Sequence, residues 1–243
     1  MSFHVIIPAR YQSSRLPGKL LMDLKGQTVL ERVYRQASQA HPKSVTIATD
    51  SELIFDVATA FGASVMMTSI SHQSGTDRIA EVAALLGWTS REIIVNVQGD
   101  EPLIDPALIS QVAASLAKTD APMATLCSPV TDLETYMNPN RVKLVRDAHH
   151  RALYFSRSAI PARRDASMSL GSVFWHIGIY AYRAAFLQEI VTWPVCELER
   201  LEGLEQLRVL WAGHAIHVEE ACVEPLQDIN TVEDLRAVRQ LLS

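Results

Sequence analysis

The chain has 243 residues, 48% of them apolar and 20% charged, and carries a formal charge of −5. That length suits one large domain or two small ones with a substantial core. The mild acidity speaks against coating of nucleic acid, which needs a positive field. No apolar run approaches the length of about 18 residues that a membrane span needs. The apolar N-terminal run has no basic region before it and reads as a first strand rather than a signal peptide. Cys127, Cys196 and Cys222 are widely spaced and odd in number, with no C-x-x-C pair. They point to a reduced, cytoplasmic setting without disulfides or a structural zinc. His214 and His217 stand three apart outside any H-E-x-x-H and read as structural residues.

Strands and helices are expected to alternate through the first half. Residues 4–9 form a compact apolar run, 28–40 carry helical spacing through Val29, Val33 and Ala37, and 44–50 are β-rich. A helix over 51–62 is closed by Gly62, and a strand follows over 63–69. Residues 76–87 put Ile79, Val82, Ala83 and Leu86 on one helical face. The segment 92–98 is a buried strand and 106–118 a helix. Such continuously apolar strands imply a parallel sheet covered on both faces. After about residue 120 the pattern shifts to strands over 123–130, 142–147, 152–157 and 175–183. Helices are then expected over 184–193 and 198–213, a strand over 215–221, and a closing helix from 231. Residues 158–174 are the most loop-like stretch.

Three loops carry chemistry. The first, after the first strand, holds Arg10, Arg15 and Lys19 within ten residues, with Ser13, Ser14 and a Pro17-Gly18 turn. In an α/β fold, ligands bind at the carboxyl ends of strands, and arginine forks suit phosphate oxygens. The loop therefore suits a polyphosphate; a solvated basic loop is the plain alternative. It is neither a Walker A loop, having Ser13 and Leu20 where that motif needs glycine and a hydroxyl, nor a G-x-G-x-x-G turn. The second loop, Gln98-Gly99-Asp100-Glu101-Pro102, offers Asp100 either as a magnesium ligand or as a turn carboxylate. In the third, His72 to Arg78, Ser74 and Thr76 are placed to cap a helix, or else to face a base or ribose.

Together these segments resemble the 3-deoxy-manno-octulosonate cytidylyltransferase family, also called CMP-Kdo synthetases. The matching stretches are IIPARYQSSRLPGK (6–19), HQSGTDR (72–78), VNVQGDEPLI (95–104), ALYFSRSAIP (152–161), HIGIYAYR (176–183), LEQLRVL (204–210) and TVEDL (231–235). The related sialic-acid cytidylyltransferases share the first loop but not the HQSGT, ALYFSR or LEQLR segments.

The resemblance implies a single α/β domain of Rossmann-like, nucleotide-diphospho-sugar transferase type, with a mixed, largely parallel sheet flanked by helices. Its nucleotide-binding part would span about 1–120, and its sugar-binding and dimerisation part about 121–243. It implies that CTP and Kdo give CMP-Kdo and pyrophosphate with Mg2+, in a cytoplasmic homodimer that activates Kdo for lipopolysaccharide. By the same resemblance Arg10, Arg15 and Lys19 hold the triphosphate, with Pro8, Ala9 and Gly75 beside the nucleotide. Ser74, Arg78 and Gln98 lie toward the cytidine. Arg15, Lys19 and Asp100 are the catalytic set. Arg10, Gln98, Arg157, Arg164, His176, Tyr180, Glu205 and Gln206 contact the sugar acid, and Asp100 holds the metal.

Two segments depart from the family pattern. Where the family carries a second metal-binding aspartate, this chain has Asn230. An amide oxygen ligates a hard cation more weakly, and Asp228, two residues upstream, projects to the same side of an extended segment. Asp228 is therefore expected as a substitute metal ligand beside Asn230; the other reading is a more magnesium-demanding enzyme. The loop after Pro161 reads Ala162-Arg163-Arg164-Asp165 where the family often has Trp-Asp-Arg-Asp. It leaves an amino-modified Kdo or a sialic acid open as acceptor. A catalytically silent nucleotide-binding homologue is the alternative of another class.

Overall fold

The computed structural model describes residues 2–12, 16–88, 91–165, 169–171, 173–226 and 228–242. Arg15 lies outside these residues. The N-terminal half follows the expected alternation: β1 (His4–Ala9), α1 (Val29–Gln39), β2 (Ser44–Thr49), α2 (Glu52–Ala60), β3 (Ser64–Met67), α3 (Gly75–Leu85), β4 (Ile93–Asn96) and α4 (Pro106–Ala117). Each of these helices starts on a side chain that satisfies a free backbone N–H. Thr28 caps α1, Ser51 caps α2, and Asp105 caps α4 with Pro106 at its first turn. Gly62 takes a φ of +84° just past α2, as the stop signal required.

The second half adds β5 (Met123–Pro129), α5 (Leu133–Met137), β6 (Lys143–Arg146), β7 (Ala152–Ser156), β8 (Phe174–Arg183), α6 (Ala184–Ile190), α7 (Glu197–Glu202), α8 (Leu207–Trp211), β9 (Ile216–Glu220) and α9 (Val232–Leu241). The helix expected over 198–213 is in fact two, α7 and α8. Gly203, at a φ of +62°, ends α7, and residues 204–206 turn before α8 begins. A left-handed glycine breaks the hydrogen-bond ladder that apolar spacing alone suggested was continuous.

Strand order along the main path is β3-β2-β1-β4-β8-β5-β9, with β6 and β7 attached beside β8. The first four strands of this path are mutually parallel. The departure from a purely parallel sheet comes from β8, which runs antiparallel to β4 and to β5, while β9 is parallel to β5. Alternate residues of each strand serve opposite faces. Val5, Ile7, Ile47 and Val95 pack into one cluster with α1 and α4, and Ile6, Ala48 and Ile94 into another with α3 and α6. Both clusters draw on both halves of the chain.

The chain leaves β1 toward β2 on one side, whereas β4 lies on the other side of β1. That reversal is a topological switch point, where the loops at the strand ends part and leave a crevice. The loops after β1 and β4 are the ones that carry Arg10 to Lys19 and Gln98 to Asp100.

Candidate active site

The loop after β4 lies hard against β1. A Cβ at Gly99 would sit 3.0 Å from the Pro8 carbonyl oxygen and 3.4 Å from Leu20, so only glycine lets Asp100 approach this closely. Gly75 at the start of α3 similarly packs on the Pro8 ring. Pro8 therefore acts as the floor on which the two loops rest. The short turn Lys19–Leu21 points the Lys19 ammonium across the crevice, where it donates to Asp100 Oδ2 at 2.5 Å and to the Ile229 carbonyl at 3.0 Å. The Ile229 N–H in turn donates to the Asp100 carbonyl at 2.9 Å, which ties the segment before α9 to the β4 loop. Arg10 donates to the His72 carbonyl at 2.8 Å and links the first loop to the third.

Two adjoining cavities open here. The larger, about 970 Å³, has Asp100, Glu101, Asp228 and Asn230 among its lining together with Arg157, His176, Tyr180 and Gln206. The smaller, about 260 Å³, is bounded by Gly75, Thr76, Asn96 and Tyr182. Gln98, Tyr180, Glu205 and Gln206 line both. Residues from distant segments thus meet around one space. Gln206 Nε2 and Asn96 Oδ1 are buried with no hydrogen-bond partner within the protein, as fits groups reserved for a polar ligand.

β8 supplies the wall shared by the two cavities. Its pairing with β5 shifts register between Thr125 and Leu126, which oppose Tyr180 and Ile177. This bulge brings Gly178 beside the Glu101 carboxylate and turns Tyr180 toward the cavities. Thr125 Oγ1 lies 2.7 Å from the Ile179 carbonyl and 3.0 Å from His176 Nε2. With its one proton on the carbonyl, the hydroxyl accepts from His176 Nε2–H. Burial pushes the His176 imidazole down to about 3, so this side chain is neutral in the folded protein.

Burial also shifts the acids and phenols. It raises the Tyr180 hydroxyl well above its ordinary value, with the Tyr182 and Glu205 charges adding to the effect. Glu205 is raised by burial against the opposing hydrogen bond from Thr76. Glu205 does not sit on a helix; it lies in the turn between α7 and α8. Glu101 is the residue that sequence reasoning passed over. It is partly buried on the wall of the larger cavity, and that burial, with the charges of Asp100 and Asp228, pushes its carboxyl up to about 8. The available signal was two adjacent carboxylates followed by the apolar Pro102-Leu103-Ile104 run. Asn96 was passed over as well, because its residue type does not stand out in a strand, whereas Thr76, expected either to cap a helix or to face a base or ribose, lines the smaller cavity.

Other expected residues fall differently. Ser74 caps α3 in a reciprocal capping box, accepting from the Asp77 N–H at 3.1 Å while Asp77 accepts from the Ser74 N–H at 2.9 Å. Arg78 is fully buried, donates to Thr68, and pairs with Asp50 at 2.6 Å. It lines neither cavity, so its charge is engaged beneath the site rather than presented to it. Arg157 reaches the larger cavity while its guanidinium donates to the carbonyls of Glu202 at 2.6 Å and Pro139 at 3.2 Å. Arg164 is exposed on the segment after Pro161 and is not brought to the cavities.

Asp228 and Asn230 do face the same space as Asp100, and Asn230 Nδ2 donates to Asp228 Oδ2. Asp234 is engaged by the backbone N–H groups of Asn230 and Thr231. The donors left toward the cavity are carboxylate and carboxamide oxygens. That hard-oxygen set fits magnesium, with Asp100, Asp228 and Asn230 as the residues that would hold it.

A switch-point crevice of this kind is where open α/β sheets bind nucleotides, and similarity to known proteins places the chain among the nucleotidyltransferases. The cytidylyltransferase family profile matches residues 4–219. The 3-deoxy-manno-octulosonate cytidylyltransferase of Legionella pneumophila (strain Lens) is 62% identical over 239 residues, covering 98% of this chain and 96% of the relative. The enzyme of the same name from Vibrio vulnificus (strain CMCP6) is 52% identical over 248 residues, 100% of this chain and 99% of the relative. A solved CMP:2-keto-3-deoxy-manno-octonic acid synthetase complexed with CTP superposes with a TM-score of 0.92 at 38% identity, covering 100% of this chain and 98% of that one. The chain belongs to the 3-deoxy-manno-octulosonate cytidylyltransferase family.

Proposed function

We propose that this protein transfers a cytidylyl group from CTP to Kdo, forming CMP-Kdo and pyrophosphate. The observation that carries this reading is one crevice shared by two sets of groups. Lys19, through its pair with Asp100, and Gln98 and Asp100 come from the segments that follow β1 and β4 at the switch point. Arg157, His176, Tyr180, Glu205 and Gln206 come from the second half of the chain. The first set suits a triphosphate and the second a polyhydroxylated acid.

In the reaction the anomeric 2-hydroxyl of Kdo attacks the α-phosphorus in line with departing pyrophosphate. Positioning and charge neutralisation do most of the work in such a transfer. Lys19, now on Asp100, is placed to follow the negative charge that develops on the leaving group. Arg10 braces the loop that carries it. Arg157, already fixed by backbone carbonyls, offers a rigid cation for the Kdo carboxylate. His176, neutral and held by Thr125, and Gln206 Nε2 supply polar contacts for the sugar hydroxyls. Magnesium bound through Asp100, Asp228 and Asn230 would neutralise phosphate oxygens. The reading extends to a cytoplasmic homodimer that supplies activated Kdo to lipopolysaccharide synthesis.

The test is pyrophosphate release from the purified protein with CTP and magnesium, with and without Kdo. Release that needs Kdo, and that fails with ATP or GTP, is expected. No release with Kdo across a wide magnesium range would overturn the reading. A sialic acid or an amino-modified Kdo in the same assay separates the acceptors.

A further inference from the structure

The edge strand β9 carries His217 and Glu219, two residues apart and therefore on one face of the strand. His150 joins them from the turn between β6 and β7, at a φ of +59°. Its backbone is pinned from both sides: the His150 carbonyl accepts from the Val218 N–H at 2.8 Å, and the His150 N–H donates to the Asp147 carbonyl at 3.1 Å. The neighbouring Arg151 bridges to His217 in the same register. The fold thus brings three ligating side chains together from segments more than sixty residues apart in sequence.

Their geometry is close to that of a bound ion. Glu219 Oε1 lies 3.6 Å from His150 Nδ1, and Glu219 Oε2 lies 3.3 Å from His217 Nε2. The ligand atoms of all three lie within 4.8 Å of one another. A tetrahedral zinc with bonds of about 2.0–2.1 Å holds its donor atoms about 3.4 Å apart. The two imidazoles lie nearly parallel, at 16°, with centroids 6.1 Å apart. His217 is mostly covered, while His150 and Glu219 are about 40% exposed, so an ion can enter from solvent.

The cations nearby are engaged by other acids. Arg146 faces Glu220 at 3.6 Å and donates to the Val218 carbonyl, and Arg151 pairs with Asp147 at 2.8 Å. We infer that His150, His217 and Glu219 form a second divalent-cation site, remote from the crevice, that takes zinc or a similar borderline ion. Two imidazole nitrogens and one carboxylate suit zinc, not magnesium, which prefers an all-oxygen shell. None of the three lines either cavity of the crevice. Three protein ligands leave a fourth position for water. An ion here would staple the β6–β7 turn to the sheet edge and so stabilise the folded chain.

The test uses the full chain, treated with a chelator and titrated with Zn2+ alone, without nucleotide or magnesium, and followed by calorimetry and thermal denaturation. Zinc is expected to raise the melting temperature. His150→Asn and His217→Gln are each expected to weaken zinc binding by more than about tenfold. Asparagine at 150 tolerates the left-handed backbone, so that variant keeps the turn even if the strand variant folds poorly. Asp100→Asn, which alters the oxygen donors of the crevice, should leave zinc binding at this site intact. Unchanged zinc affinity in His150→Asn, or loss of binding in Asp100→Asn, would overturn the inference.

Discussion

His176 joins the site to the stability of the sheet, and its titration can be isolated. The imidazole is neutral in the folded state because burial holds it down to about 3, against an ordinary value near 6.5. The unfolded chain binds this proton first as pH falls. The stability that the neutral side chain contributes is therefore complete above about pH 6.5 and is lost as pH drops from there toward 3. Each pH unit in that window costs about 1.4 kcal/mol, so about 2 kcal/mol is gone by about pH 5. His4, also lowered chiefly by burial, adds to the acid limb in the same direction. Replacing His176 by glutamine keeps a donor for Thr125 Oγ1 and removes the titration. Urea unfolding of both proteins at neutral pH and near pH 5 checks the argument. The variant should lose about 2 kcal/mol less than the parent over that interval. Equal acid losses in the two proteins would refute it.

Three further outcomes are expected. Gly99→Ala places a Cβ 3.0 Å from the Pro8 carbonyl oxygen; it should cost about 1–3 kcal/mol in chemical denaturation and weaken CTP binding by displacing Asp100. Unchanged CTP affinity would show that the loop tolerates the shift. Asn230→Asp adds a carboxylate beside Asp228 and Asp100 and gains about 2 kcal/mol toward a divalent ion. Calorimetry should then show magnesium affinity rising by about tenfold or more, and no change would count against Asn230 as a ligand. Arg78→Leu leaves Asp50 without its buried partner and should cost roughly 3 kcal/mol while CTP affinity holds. A selective loss of CTP affinity at unchanged stability would instead assign Arg78 to the nucleotide.

The local parts of this protein were legible in its sequence. Ser74 as a helix start and Gly62 as the stop after α2 were readable because capping and left-handed turns depend on a few adjacent residues, and Thr28, Ser51 and Asp105 cap their helices by the same local chemistry. Strand positions followed from short apolar runs. The loops at 10–19 and 98–102 stood out as candidate ligand loops from charge density at strand ends. The break at Gly203 was one local error, since apolar spacing continues through it although the backbone does not, and the short helix α5 was not expected at all.

What only the tertiary structure decided depends on contacts between distant segments. The antiparallel entry of β8 between β4 and β5 follows from packing across the whole chain, and it sets the wall of both cavities. The Lys19–Asp100 pair spans 81 residues, and no spacing rule announces it. Arg78 was expected toward the cytidine, yet it is fully buried on Asp50. Nothing adjacent in sequence announces that Glu101 and Glu205 are desolvated, yet burial raises both carboxyls. His150, His217 and Glu219 become a cluster only when β9 docks beside the β6–β7 turn. Periodicity and capping are properties of neighbours in sequence. Burial, and with it the charge state of a side chain, belongs to the neighbours that folding supplies.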